Sequence, residues 1–182
     1  MYNDCIFSED RKYRYVLRHI FNSYNENQIA WIGLNPSTAD EKQLDPTLRR
    51  IKGFSEIYGF GQFYMLNLFA LRSTDPSELY KDDSPIGPDN DKWLVEITSK
   101  TNVTVCCWGS TGTFMDRGIK VLQLLNQDKL YHLTLTNNNQ PIHPLYVSYE
   151  EGIKKIMIEN NMLVRSNETL KKLKKKGTFL KW

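Results

Sequence analysis

Cysteine and histidine are scarce here, at three residues each in 182. Cys5 stands alone, and Cys106 and Cys107 are adjacent in the apolar run VTVCCW. That set gives no disulfide framework and no zinc or iron–sulfur spacing. In an extended strand the adjacent pair points to opposite faces, as buried thiols do. His19, His132 and His143 are widely separated, so no metal cluster is expected. There is no Walker loop, no dinucleotide fingerprint and no G-x-S-x-G, so no cofactor is expected either. No apolar run approaches about 18 residues, which argues against a membrane span. The start, MYNDCIFSEDRK, lacks the basic-then-apolar order of a signal peptide, and a cytoplasmic address is the default expectation. No internal repeat is visible.

What is present fits a globular chain: 40% hydrophobic and 12% aromatic residues, and enough length for a proper core. The net charge of +3 is uneven. From Glu151 onward nine Lys/Arg face three Glu, a balance of +6, so the first 150 residues carry −3. One domain over 1–150 with a basic tail over 151–182 is the simplest organisation. Such a tail suits a polyanion or a solvated helix surface.

Periodicity sets the elements. KYRYVLRHIF alternates with period two and predicts a strand, with CIF at 5–7 pairing across SEDR as a hairpin. QIAWIGL at 28–34 is a nearly continuous apolar strand. Asp45-Pro46 reads as an N-cap and first helical position, with the helix running to about Tyr58 and stopping at Gly59. Strands follow at 63–68 (FYMLNL), 103–108 (VTVCCW) and 130–135, and helices at about 89–100 and 113–126. The long polar loop after the 63–68 strand exceeds about 12 residues, a length that hints at a working loop. The tail reads as helical from about 148 to 160 and again from 167 to 176.

Alternating strands and helices predict a three-layer α/β/α sandwich around a mostly parallel four-stranded sheet. Such sheets bind ligands beyond the carboxyl ends of their strands. Those ends read GLNPSTAD, NLFALRSTDP, WGSTG and TNNNQPIHPLY, all rich in amides, hydroxyls, glycine or histidine. In a parallel sheet they share one edge, so residues far apart in the chain are expected to meet there.

Over about 28–150, this ordered set resembles the uracil-DNA glycosylase superfamily. GLNPS at 33–37 is similar to its first motif in the G-x-N-P form. MLNLFALR at 65–72 resembles the strand carrying the base-reading asparagine, VTVCCWGSTG the apolar strand ending in Trp-Gly, and HPLY at 143–146 the second active-site motif. The best likeness is to a bacterial and phage family of unassigned function with GLNPSTAD, DPTLRR, NLFA and HPLY. The superfamily resemblance implies cleavage of an N-glycosidic bond to a flipped uracil-type or modified pyrimidine, as on modified phage DNA, by a monomer without metal or cofactor. It implies His143 as donor to the departing base and Asn35 as the group orienting water, with Asp40 or Asp45 as substitutes for the carboxylate that the more active enzymes have in place of Asn35. Asn67 would read the base edge, among Leu34, Pro36 and Phe69. Ser37, Thr38, Arg49, Arg72, Ser73 and Ser110 are the DNA-contacting candidates, with Leu145 and Tyr146 as the wedge.

Each residue also has a plainer reading. Asn35-Pro36 makes a turn, Asn67 is a satisfied core amide, and His143 packs a loop; His19 and His132 are structural. Losing a general base costs about 10² to 10⁴ in rate, so Asn35 implies a slow enzyme. Two other functions stay open: a non-catalytic binder of DNA or modified nucleotides using the same cleft, and a nucleoside or nucleotide N-glycosidase.

Overall fold

The computed structural model describes residues 2–37, 44–160 and 162–170. Strands β1 (Tyr2–Phe7) and β2 (Arg14–Ile20) form the expected antiparallel hairpin. After them come β3 (Gln28–Gly33), helix α1 (Pro46–Ile57), β4 (Gln62–Asn67), α2 (Asn90–Lys100), β5 (Thr104–Cys106), α3 (Arg117–Leu124) and β6 (Leu130–His132). Strands β7 (Lys154–Lys155), β8 (Met157–Glu159) and β9 (Met162–Val164) complete the described elements.

The sheet has seven strands in the order β1-β2-β4-β3-β5-β6-β7. Its centre, β4-β3-β5-β6, is parallel throughout, and β2 and β7 close it antiparallel on either side. Parallel strands need both faces covered, and their sequences accordingly run apolar without interruption. Ile29 and Trp31 of β3 pack with Leu48, Ile51 and Phe54 of α1. Ala30 and Ile32 pack instead with Leu94 and Ile97 of α2 and Val121 and Leu122 of α3. Cys106 and Cys107 fall into these opposite layers.

Helix α1 starts where its cap chemistry dictates. The Asp45 carboxylate accepts from Leu48 N–H at 2.8 Å, and Pro46 occupies the first turn, where its missing N–H costs nothing. Its buried face, Leu48, Ile51, Phe54 and Ser55, follows helical spacing, and Gly59 at φ +82° turns the chain away. Helix α3 is shorter than the periodicity predicts. Met115 and Asp116 sit at φ 56° and 55°, which breaks the stretch into 3₁₀ turns (Ser110–Asp116) before the helix begins at Arg117.

The expected helical tail is corrected. Lys154–Lys155, Met157–Glu159 and Met162–Val164 form strands: β7 joins the main sheet, and β8 and β9 form a ribbon whose Leu163 is buried in the core. Ile153 and Ile156 are also buried, so this part of the tail belongs to the body of the fold. The Lys171–Lys176 cluster lies outside the described residues. Among the described residues no helix is long and apolar enough to cross a membrane.

Candidate functional site

Neighbouring strands β3 and β4 send their following connections to opposite faces. β3 leads to α1 on one layer, and β4 leads to α2 on the other. The strand order reverses between β3 and β5, and an open α/β sheet takes its ligand beyond the carboxyl ends of the strands around such a reversal, an edge that β4 shares. The residues at this carboxyl edge include Gly33 to Ser37 after β3 and Asn67 to Ser73 after β4, its neighbour.

Asn67 ends β4 in register with Gly33 and is 1% exposed. Among the described residues neither its Nδ2 nor its Oδ1 has a hydrogen-bond partner. An unpaired buried amide costs about 1–3 kcal/mol per group, so the plainer reading of a satisfied core asparagine does not describe it. Gly33 makes the room. A Cβ there would lie 3.0 Å from Asn67 Oδ1 and 2.5 Å from Met65 Cε.

The backbone under Asn67 is held by side chains that sequence reasoning missed. Asn90, at the start of α2, donates its Nδ2 to the carbonyls of Asn67 (3.1 Å) and Leu68 (2.9 Å). Arg117, at the start of α3 and 3% exposed, donates Nε to Leu68 O at 2.9 Å and pairs with Asp91. The only sequence signals were an amide and a cation at helix starts, where both residue types also occur for local reasons. Their partners are 22 to 49 positions away.

Asn35 answers partly to the turn reading. Its Nδ2 donates to Ser73 O at 3.0 Å, while Ser73 N–H donates to Pro36 O at 2.9 Å. These bonds zip the β3 and β4 loops together and commit the amide donor, while Oδ1 accepts no hydrogen bond among the described residues. Ser37 Oγ donates to Asp45 Oδ2 at 3.3 Å, so Asp45 serves both as helix cap and as anchor of the β3 loop. Pro36 is buried.

His143 precedes a short 3₁₀ turn, Pro144–Tyr146, and is half-buried. Burial pushes its imidazole below the ordinary value, and the Asp45 carboxylate opposes that shift. The imidazole is therefore neutral near pH 7, with one nitrogen able to donate and the other to accept. Its ring lies 5.9 Å from that of Tyr146, which is 79% exposed; Leu145 is 43% exposed. Asn67, Gly33, His143 and the start of α1 thus occupy one edge of the sheet, on the α1 side.

The remaining candidates divide. Leu34 is partly buried against the α2–α3 layer. Phe69 is fully buried, 5.6 Å from the Phe114 ring, so it offers no open stacking face. Arg72 is drawn to the hairpin: its Nη1 donates to Arg11 O at 3.0 Å and its guanidinium sits 5.0 Å from the Phe7 ring centre. These contacts give it a packing role at the hairpin. Arg49 is exposed and reaches Leu44 O at 2.6 Å. Ser110 is exposed and contacts Asn138 at 3.3 Å. In the neighbouring GSTG turn, Gly112 packs under Trp108, where a Cβ would come within 2.0 Å of the ring. Thr38 and Asp40 lie outside the described residues.

A cavity of about 250 Å³ opens on this edge beside Arg72, Ser73 and Lys81. A larger one, about 590 Å³, lies at the amino ends of the parallel strands, lined by Phe21, Asn22, Glu56 and Phe60. The site is placed by the carboxyl edge of the parallel strands and by the buried amide rather than by cavity volume. Among the described residues no group of three or more His, Cys, Asp or Glu is placed to hold a metal ion.

No curated protein and no solved structure matches this sequence. Residues 14–145 match the model of a family described as protein of unknown function, DUF1643. That span holds β2 through β6 and every described candidate residue except Tyr146, and it exceeds half of the 182 residues. The chain belongs to the DUF1643 family.

Proposed function

We propose that this protein is a glycosylase-like hydrolase that cleaves the N-glycosidic bond of a flipped uracil-type or modified pyrimidine in DNA. The observation that carries the reading is Asn67: a buried carboxamide, neither end partnered among the described residues, at the carboxyl edge of a parallel sheet. One such amide offers the donor and acceptor needed to pair with N3 and O4 of a pyrimidine. Breaking the bond leaves negative charge on the departing base, and a neutral His143 is suited to donate a hydrogen bond to its O2. The start of α1 adds a positive dipole end on the same side. Ser37, with Arg49 beyond it, is suited to hold backbone phosphates, and Leu145 and Tyr146 to fill the gap left by the base. The uracil-DNA glycosylase-like arrangement, action as a monomer and independence from cofactors are parts of the same proposal.

The test is incubation of purified protein with duplex and single-stranded DNA carrying uracil, mismatched thymine or hydroxymethyl-pyrimidine. Alkali-labile abasic sites are the expected product. Absence of both cleavage and binding on every substrate would sink the proposal.

One observation favours a second reading, a non-catalytic binder of modified nucleotides or DNA. Asn35 spends its amide donor on Ser73 and has no carboxylate with which to take a proton from water. On that reading Asn67→Ala and His143→Ala weaken binding, while the wild type shows no turnover. A nucleoside N-glycosidase is distinguished by cleavage of free nucleosides with no dependence on DNA length.

A further inference from the structure

We infer that Arg50, Gly53 and Tyr149 are positioning residues for His143, holding its loop on α1 so that the imidazole stays buried beside the helix start. The inference rests on His143 being part of the proposed site. Three contacts carry it. The Arg50 guanidinium donates to the carbonyl of Val147, four residues beyond His143. The same guanidinium lies 3.5 Å from the centre of the Tyr149 ring, a cation–π stack that a flexible ammonium does not reproduce. Tyr149 in turn lies over Gly53: a Cβ there would come within 2.3 Å of its hydroxyl and 2.7 Å of Cζ. The Phe54 ring packs against that of Tyr149, its centre 4.8 Å away and its plane tilted by 59°.

Between His143 and these anchors the chain is stiff. Tyr146 N–H donates to His143 O at 3.1 Å, and Val147 N–H to Pro144 O at 3.3 Å. A shift of Val147 and Tyr149 is therefore passed to His143 rather than absorbed. Arg50 lies one turn into the helix whose cap is Asp45, the charged group that faces His143, so the contact fixes the imidazole relative to that carboxylate. The arginine adjacent to Arg49 thus faces inward, and only Arg49 is left for a phosphate.

The experiment follows the His143 ring resonances by NMR through a pH titration in wild type, Arg50→Lys and Gly53→Ala, with assignment from His143→Gln. Alanine is the better helix former, so thermal stability alone does not read out the effect in Gly53→Ala. In both variants the His143 midpoint is expected to shift upward toward the ordinary imidazole value as the ring gains solvent, while His19 and His132 keep theirs. Should one variant not fold, the other decides. A folded variant whose 144–149 amide resonances have moved while His143 titrates as in wild type overturns the inference. Neither outcome depends on turnover, so failure of the glycosylase reading is seen separately, in the DNA assays on the wild type.

Discussion

Asn67 lies against the bare Cα of Gly33, and a single methyl placed there would stand 3.0 Å from its Oδ1. The same methyl would meet Met65 Cε at 2.5 Å, but a thioether end can swing aside. The amide has less freedom, because its backbone is pinned by Asn90 and Arg117. Gly33→Ala is therefore expected to leave the protein folded, at a cost of about 1–3 kcal/mol from overpacking, and to weaken ligand binding more than tenfold. Urea unfolding and DNA binding measured on the same sample check it. Unchanged affinity would place the ligand away from Asn67.

Asn67 itself yields a prediction of unusual sign. A buried amide without partners among the described residues is a stability cost, and a bound ligand that pairs with it offsets that cost. Asn67→Leu, close in volume and without polar atoms, should raise the unfolding free energy by about 1–2 kcal/mol while abolishing binding and turnover. Loss of stability instead would mean that the amide is satisfied in the free protein, as the plainer reading held.

The route from sequence to this site was uneven. Strand β3 and helix α1 were legible because local rules specify them: an unbroken apolar run, then Asp45-Pro46 supplying cap and first turn. The shared edge of Asn35, Asn67 and His143 was legible from strand order. Contacts across more than 20 positions were not, which is why Asn90 and Arg117 escaped notice. The tail misled because Ile153, Ile156 and Met157 mimic helical spacing. The decisive signal was Asn160, which takes φ +49° where Glu159 pairs with Met162. Basic composition pulled the reading toward an exposed helix, whereas Ile153, Ile156 and Leu163 are core residues.

Asn35→Asp separates catalysis from architecture. The substitution supplies the missing carboxylate but sets its charge against the carbonyl of Ser73, which now accepts from Nδ2 at 3.0 Å. A drop of about 1–2 kcal/mol in stability is expected from the lost bond. If the site cleaves glycosidic bonds, turnover should nonetheless rise, by as much as about 10²-fold, the usual worth of a general base. Asn35→Ala should show the same stability loss without the gain. Equal inactivity of both variants, with wild-type binding retained, would select the non-catalytic reading.

His132 sets the acid limit of the fold. It ends β6, is 2% exposed, and burial pushes its imidazole down to about 4, with the Thr134 backbone opposing the shift. The sign follows from proton uptake. Below the ordinary value of 6.5 the unfolded chain binds a proton at this position while the folded chain does not, so stability falls as pH drops from about 6.5 to about 4 and levels off below that. The loss attributable to His132 is about 3.5 kcal/mol at most, taking about 1.4 kcal/mol per pH unit. His19 and His143 are lowered in the same direction and add to the wild-type slope. His132→Leu should therefore lose about 2–3 kcal/mol less than wild type between pH 7.5 and pH 4.5. Urea unfolding at the two pH values measures the difference. Parallel slopes would show that native His132 takes up its proton over the same pH range as in the unfolded chain, and so that its burial is relieved by a partner.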